Sequence, residues 1–307
     1  MQDPGQERRK QLAVGAFRFL ERVGVHVLPR HFYSSVADRA WLDRHPELWR
    51  HPTQIAGLPW EVDGQLRWLS TVCEPYLDEV RGFSFLPALA ERGIPFRYGL
   101  IEAQVLHCVI RSLVPRRVVE VGSGASTAVM SDAASSNQTE GRGSTHIVSI
   151  DPYASERVRL LQGVEVMCQP AQAAPAGLFA SLESGDLLFI DSTHALKTGS
   201  ELGRLYLEII PSLVPGVIVH IHDIYLPYLY SPLVLGDLWD WQETALLAGL
   251  LTGNPHFELL CCQSLLHDRA PDRLALVLPD YVPRRLADGL DSGAGDHYPS
   301  STWLRSR

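Results

Sequence analysis

Seven short apolar runs constrain this chain more than any other feature. They are Val118–Val121, His146–Ile150, Glu165–Cys168, Asp186–Ile190, Val217–Ile221, Phe257–Cys261 and a last, shorter Thr302–Leu304. Most are apolar throughout rather than alternating, the pattern of strands buried on both faces. Between them the helical period returns at Ser126–Ala134, Leu202–Ile210 and Leu238–Leu251. Strands alternating with helices dictate a layered α/β chain. The expected fold is a doubly wound, mostly parallel, seven-stranded sheet. The polar residues gather at the C-terminal ends of the runs: Glu120 and Gly122, Asp151, Asp191, then His222 and Asp223. Open sheets of this kind bind ligands at that edge.

The region before the first run reads differently. Leu12–Val23, Gln65–Tyr76 and Ile101–Leu113 have helical spacing, and Pro29, Pro46, Pro52 and Pro59 interrupt the stretch between the first two. The expected division is a helical and loop region over residues 1–97, acting as an N-terminal lid, and a ligand-binding domain over 98–307. A lid would keep water from the sheet edge. Asp288–Ser301 is rich in Gly, Ser and Asp and reads as a mobile loop.

Charge narrows the class of ligand. Lys and Arg number 27 against 35 Asp and Glu, a net charge of −8, whereas a nucleic-acid binder shows a basic face. No apolar run approaches the ~18 residues of a membrane span, and Met1–Lys10 is polar, unlike a signal peptide. The five cysteines, Cys73, Cys108, Cys168, Cys261 and Cys262, form no CxxC pair. They read as reduced, buried thiols. The expectation is a cytoplasmic protein that acts on a small molecule, without nucleic-acid or membrane partners, and a homodimer is admitted.

Glu120-Val-Gly-Ser-Gly-Ala-Ser126 lies between a strand and a helix. Glycines there let the backbone approach a ligand, and the helix start favours an anion. Asp151 closes the second strand, where a carboxylate accepts the hydroxyls of a ribose. The dinucleotide pattern GxGxxG is broken at Thr127, which disfavours a nucleotide-dependent dehydrogenase. The run Glu120–Thr127 resembles the first motif of class I S-adenosylmethionine-dependent methyltransferases, and the likeness extends over about Tyr98–Arg307. It implies a Rossmann-like methyltransferase fold and S-adenosylmethionine as cofactor. It implies a cofactor site of Tyr98, Glu120, Gly122, Ser123, Gly124, Ser126, Thr127, Asp151 and Asp191, with the adenine flanked by about Gln169–Ala171.

Within that superfamily the chain is similar to the methyltransferase family 24 group, through Ile190-Asp-Ser-Thr-His-Ala-Leu-Lys-Thr-Gly199, Val219-His-Ile-His-Asp-Ile224, Ser301-Thr-Trp-Leu-Arg305 and His31-Phe-Tyr-Ser34. It departs from that group at Ser35, where a proline usually stands. It departs also at Trp241-Gln-Glu-Thr244 and at Glu102 or Ala103, where an aspartate is expected.

Asp191, His194, Lys197, His220, His222 and Asp223 fall at two strand ends. His194 and His222, with Asp191, are the candidate catalytic residues, since a histidine with a pKa near 7 suits a general base. Asp191, His222 and Asp223 are a candidate metal set. It lies where catechol-type O-methyltransferases bind magnesium, although a histidine suits a transition metal better. The plain alternative is a histidine satisfying a backbone carbonyl, and for His220 that reading is preferred. Tyr225, Tyr228, Tyr230, Trp239 and Trp241 could hold a sulfonium or an apolar substrate, or simply pack.

The function expected is methyl transfer from S-adenosylmethionine to a small molecule, at oxygen, in bacterial secondary metabolism. One alternative is cyclisation of the same cofactor to azetidine-2-carboxylate and methylthioadenosine. Another is a partner protein that keeps the fold without activity.

Overall fold

The structure is a computed structural model that describes residues 4–28, 31–94, 98–231, 235, 239–283 and 298–307. The chain forms two compact units, Met1–His45 and Pro46–Arg307. In the first, helix α1 (Pro4–Arg22) begins earlier than its apolar spacing suggests, because Pro4 suits a first helical position. A short helix, Arg39–Arg44, is capped by the Asp38 carboxylate, which accepts from the Trp41 amide.

The second unit is built on one seven-stranded sheet: β1 (Arg117–Val121), β2 (His146–Ile150), β3 (Val164–Met167), β4 (Leu187–Ile190), β5 (Ile218–Ile221), β6 (Phe257–Cys262) and β7 (Thr302–Ser306). The strand order is β3-β2-β1-β4-β5-β7-β6. The first five strands are parallel, and β7 runs antiparallel between β5 and β6. The expected doubly wound, mostly parallel sheet is what the chain forms.

Side chains alternate across a strand, so each face carries its own core. On one face Val118, Ile147, Leu187, Phe189, Ile218 and Trp303 pack under α2 (Val62–Cys73), α3 (Leu100–Leu113) and α4 (Ala125–Thr139). On the other, Val119, Ile150, Leu188, Ile190, Val219 and Leu304 pack with Tyr206, Leu247 and Leu251. Leu247 and Leu251 belong to α5 (Glu243–Leu251). Helices α2 and α3 therefore cover a face of the sheet, so residues 62–94 of the expected lid region contribute to its core.

Several expected elements shift. Gln65–Tyr76 is α2 followed by a 3₁₀ turn over Glu74–Tyr76. Leu202–Ile210 is a helical turn, Glu201–Arg204, that widens to a π turn over Leu205–Ile209. Of the expected helix Leu238–Leu251, Leu238 lies outside the described residues, and the helix starts at Glu243. Of the expected loop Asp288–Ser301, residues 288–297 lie outside them, as do Pro29 and the expected boundary at residue 97. Helices Gln263–Arg269 and Pro271–Val277 had no sequence signal, because β6 runs into the first without a break. Cys73, Cys108, Cys261 and Cys262 are buried and free, but Cys168 is exposed, contrary to expectation.

Candidate active site

Parallel register builds the site. Val121 pairs with Ile150 and with Ile190, and Ile190 pairs with Ile221. The next residue on each strand is Gly122, Asp151, Asp191 and His222, so four residues the sequence singles out stand in one row. Gly122 has φ +93°, and a Cβ there would lie 1.8 Å from the Asp191 carbonyl oxygen. Only glycine lets β1 turn away beneath that carbonyl. The Ser123 hydroxyl then donates to Asp151 Oδ2 at 2.6 Å, and the Tyr153 amide donates to Asp151 Oδ1 at 2.8 Å.

The row borders a cavity of about 990 Å³. Gly122, Ser123 and Asp151 line one part of it, with Pro170, Ala171 and Gln172. Asp191, His194, Lys197, His222 and Asp223 line another, beside Tyr225, Trp239 and Trp241. The remaining expected cofactor residues do not line this cavity. Glu120 is fully buried; Ser126 donates to its Oε1 at 2.8 Å and Thr127 to its Oε2 at 2.7 Å. The Gly124 amide donates to Thr127 Oγ1. These contacts clamp β1 to the start of α4. Burial pushes the Glu120 carboxyl up to about 7, against the pull of the hydroxyls around it. Gln169 is not on the wall. Tyr98 is buried behind it, its ring 4.7 Å from that of His222.

His220 points to the core face. Its ring stacks on Phe189 at 4.1 Å and meets Trp303 edge-on. Burial and the neighbouring His222 hold its pKa well below the ordinary value, so it is neutral. Its Nε2 lies 3.3 Å from the Tyr98 hydroxyl and 3.1 Å from the Ser301 hydroxyl, so its role is structural but its partners are side chains rather than the expected backbone carbonyl.

Four side chains converge where β4 and β5 end. His194 Nε2 is 3.4 Å from Asp191 Oδ1 and 3.4 Å from Asp223 Oδ2. His222 Nδ1 is 3.7 Å from Asp191 Oδ1 and 3.5 Å from Asp223 Oδ2. Two buried glutamates lie behind the rings. Glu243, at the start of α5, places Oε2 2.8 Å from His194 Nδ1, and Tyr206 donates to its Oε1. Glu102, in the first turn of α3, places Oε1 3.1 Å from His222 Nε2 and accepts from the Ser300 amide and the Ser301 hydroxyl. The sequence presents both only as departures within motifs. An acid in the first turn of a helix is so common a partner of the helix dipole that it carries no special signal.

Burial alone would lower the pKa of both histidines, but the carboxylates around them prevail. His194 is raised to about 10 by Asp191, Glu243 and Asp223. His222 is raised by Glu102, Asp223 and Asp191. Asp223, which burial would raise, is held well below the usual carboxylate range by His222 and His194. Both imidazoles therefore favour the cationic form, in which each ring nitrogen donates and neither accepts. His194 and Asp223 also have left-handed backbone, φ 56° and 55°. Each costs about 1–3 kcal/mol and is retained because the surrounding packing fixes it.

The strand order and the antiparallel β7 are those of the Rossmann-like methyltransferase fold. Residues 119–224 match the family model described as a methyltransferase domain, so this part of the chain is similar to methyltransferase family 24. No curated protein matches the chain significantly. Three solved structures are similar to it. The O-methyltransferase from Bacillus cereus, in complex with SAH, is 14% identical, over 79% of this chain and 100% of that one, with a TM-score of 0.41. The CurJ carbon methyltransferase is 14% identical, over 99% and 81%, with a TM-score of 0.33. The 16S rRNA (adenine(1408)-N(1))-methyltransferase from Catenulisporales acidiphilia is 16% identical, over 65% and 90%, with a TM-score of 0.25. Likenesses this loose decide neither substrate nor acceptor atom. No helix among the described residues is long and apolar enough to cross a membrane.

Proposed function

We propose that the cavity joins S-adenosylmethionine to a small-molecule acceptor and that a hydroxyl oxygen of the acceptor receives the methyl group. The observation that carries this reading is the row Gly122, Asp151, Asp191 and His222 facing one cavity. Its glycine turn and first carboxylate suit a nucleoside, and its second carboxylate opens the histidine–carboxylate cluster. Gly122 and Ser123 would hold the amino-acid part of the cofactor, Asp151 the ribose, and Pro170–Gln172 the base. The cavity is large enough for cofactor and acceptor together, by the usual size of ligand pockets. When bound, S-adenosylmethionine supplies an electrophilic methyl group on a sulfonium.

The chain's own work is to orient and to manage a proton. Trp239, Trp241 and Tyr225 offer flat apolar walls for the acceptor. The carboxylates of Asp191 and Asp223 offer oxygens toward which its hydroxyl can donate. On the lining the carboxylates of Asp151, Asp191, Glu201 and Asp223 are largely offset by Lys197 and the two histidines.

Incubating the protein with S-adenosylmethionine and a panel of phenols and alcohols tests this. S-Adenosylhomocysteine should form with at least one acceptor and not without one. Asp151→Ala should weaken cofactor binding by calorimetry about tenfold or more, through lost hydrogen bonds to the ribose. Methylthioadenosine formed without acceptor, or cofactor affinity unchanged by Asp151→Ala, would sink the reading.

A further inference from the structure

We propose that the Lys197 ammonium binds a carboxylate on the acceptor, so that the acceptor is a hydroxy acid with a flat apolar body. The hydroxyl rests on the methyl-transfer reading above; the carboxylate rests on the charges and contacts of the cavity wall.

Composition gives the first observation. Lys197 is one of only two lysines among the chain's 27 basic residues, the other being Lys10. Arginine serves almost everywhere else. Yet the described residues on the cavity wall include this lysine and no arginine. An ammonium is a compact point charge on a flexible stem, whereas a guanidinium is a rigid planar fork.

Charge pairing gives the second. The carboxylates on the wall are each engaged by other groups. Asp151 accepts from the Ser123 hydroxyl and the Tyr153 amide. Asp191 and Asp223 face His194 and His222. Glu201 stands four residues after Lys197, close enough in sequence to pair with it. Its Oε1 instead accepts from the Thr193 amide at 3.0 Å and from the Thr193 hydroxyl at 2.7 Å. Burial would raise its pKa, but these donors hold the carboxyl below its ordinary value. Among the described residues, no carboxylate pairs with the Lys197 ammonium.

A free lysine on an open surface would carry no weight, but this one has a fixed root. Its amide donates to Ser200 Oγ at 3.2 Å, and the Ser200 amide returns to the Lys197 carbonyl at 2.9 Å. On one side the Leu196 amide donates to Gln242 Oε1 at 3.0 Å, beside Trp241. On the other, Gln172 Nε2 donates to the Gly199 carbonyl at 2.7 Å. The root therefore lies between the aromatic wall offered to the acceptor and the wall offered to the base. Fixing the backbone beforehand lowers the ordering cost of binding.

The ligand's chemistry follows. One ammonium balances one negative charge. A phosphate brings up to two charges to a wall that also holds Asp151 and Glu201, and like charges disfavour it. A carboxylate brings one. Trp239, Trp241 and Tyr225 set the body of the molecule, flat and apolar.

The test compares acids with their neutral methyl esters on the full chain. The probes are para-hydroxybenzoate, protocatechuate and the two esters. With S-adenosylhomocysteine bound, calorimetry should find an acid about tenfold tighter than its ester, as one charge-assisted hydrogen bond implies. With S-adenosylmethionine, the acid should show the lower KM. Lys197→Met should erase the acid's preference, and Lys197→Arg should keep part of it. Lys197 is exposed, so both variants should melt with the wild type by circular dichroism. Acids bound no tighter than their esters, or a preference that survives Lys197→Met, would overturn the proposal. Weaker S-adenosylhomocysteine binding in Lys197→Met with the preference intact assigns the ammonium to the cofactor's own carboxylate, and overturns it equally. Failure of the methyl-transfer reading looks different: the acids bind with the expected preference, but no S-adenosylhomocysteine forms from S-adenosylmethionine.

Discussion

Gly122 and Glu120 show how much of a residue's task its sequence reveals. That a glycine must follow β1 is legible, since strand, glycine turn and helix come in that order. Its cause is not legible, because the carbonyl that excludes a Cβ belongs to Asp191, on another strand. Gly122→Ala should therefore destabilise the protein by about 2 kcal/mol or more, from left-handed backbone plus the clash. Urea unfolding measures this, and a stability loss within error would show that the turn tolerates a side chain.

Glu120 gives the opposite lesson, since the motif reads as a ligand site but its carboxylate is consumed by Ser126 and Thr127. Its pKa in the folded protein, about 7, lies above the ordinary 4.5. The folded state thus holds the proton more tightly. Its contribution is fully present below pH 4.5 and is lost as pH rises through 7. The amount is on the order of 3 kcal/mol. Comparing the wild type with Glu120→Gln by unfolding at pH 4 to 8 should show the variant gaining relative stability toward pH 8. A constant difference across that range would contradict the burial argument.

At the scale of elements, the strands were legible because burial on both faces demands apolar runs, and their order of appearance marks the sheet edge where ligands bind. Helix limits were less so, since α5 begins at Glu243 for a reason that lies in His194, distant in sequence. The same gap hid a polar knot between α3 and α4. Arg111, buried in α3, donates through Nε and Nη2 to Glu79 and through Nη1 to Asn137 of α4, and Nη2 also reaches Glu140. Asn137 in turn donates to the Ile110 carbonyl. In the sequence Arg111 reads only as a basic residue near a helix end. Its planar fork meets several acceptors at once, which lysine cannot reproduce. Arg111→Met should cost about 1–3 kcal/mol, chiefly by leaving the buried Asn137 carbonyl without its donor, while the more exposed Glu79 and Glu140 turn to water. Arg111→Lys should recover less than half of that by chemical denaturation. Full recovery would mean that charge alone, not the fork, holds α3 to α4.

For the whole molecule, the question is where an N-terminal lid could begin. Among the described residues, both cores start after Pro46: Leu58 is the first member of one and Leu66 of the other. Cutting away residues 1–95 would remove Leu66, Leu69, Val72, Leu86 and Leu89, all buried against the sheet or its helices. At about 2 kcal/mol each, their loss is on the order of 10 kcal/mol, as large as the stability of an ordinary domain. Such a chain should fail to fold, and its inactivity would say nothing of a lid. The informative cut falls at the division between the two units. A chain of residues 46–307 should unfold in one cooperative transition and bind S-adenosylmethionine with the affinity of the full chain. If residues 1–45 help to close the cavity, it should lose turnover while keeping both properties. Circular dichroism melting, calorimetry and product assays on this single truncation separate the outcomes. Loss of the cooperative transition would show that the first unit supports the core, and undiminished turnover would remove residues 1–45 from catalysis.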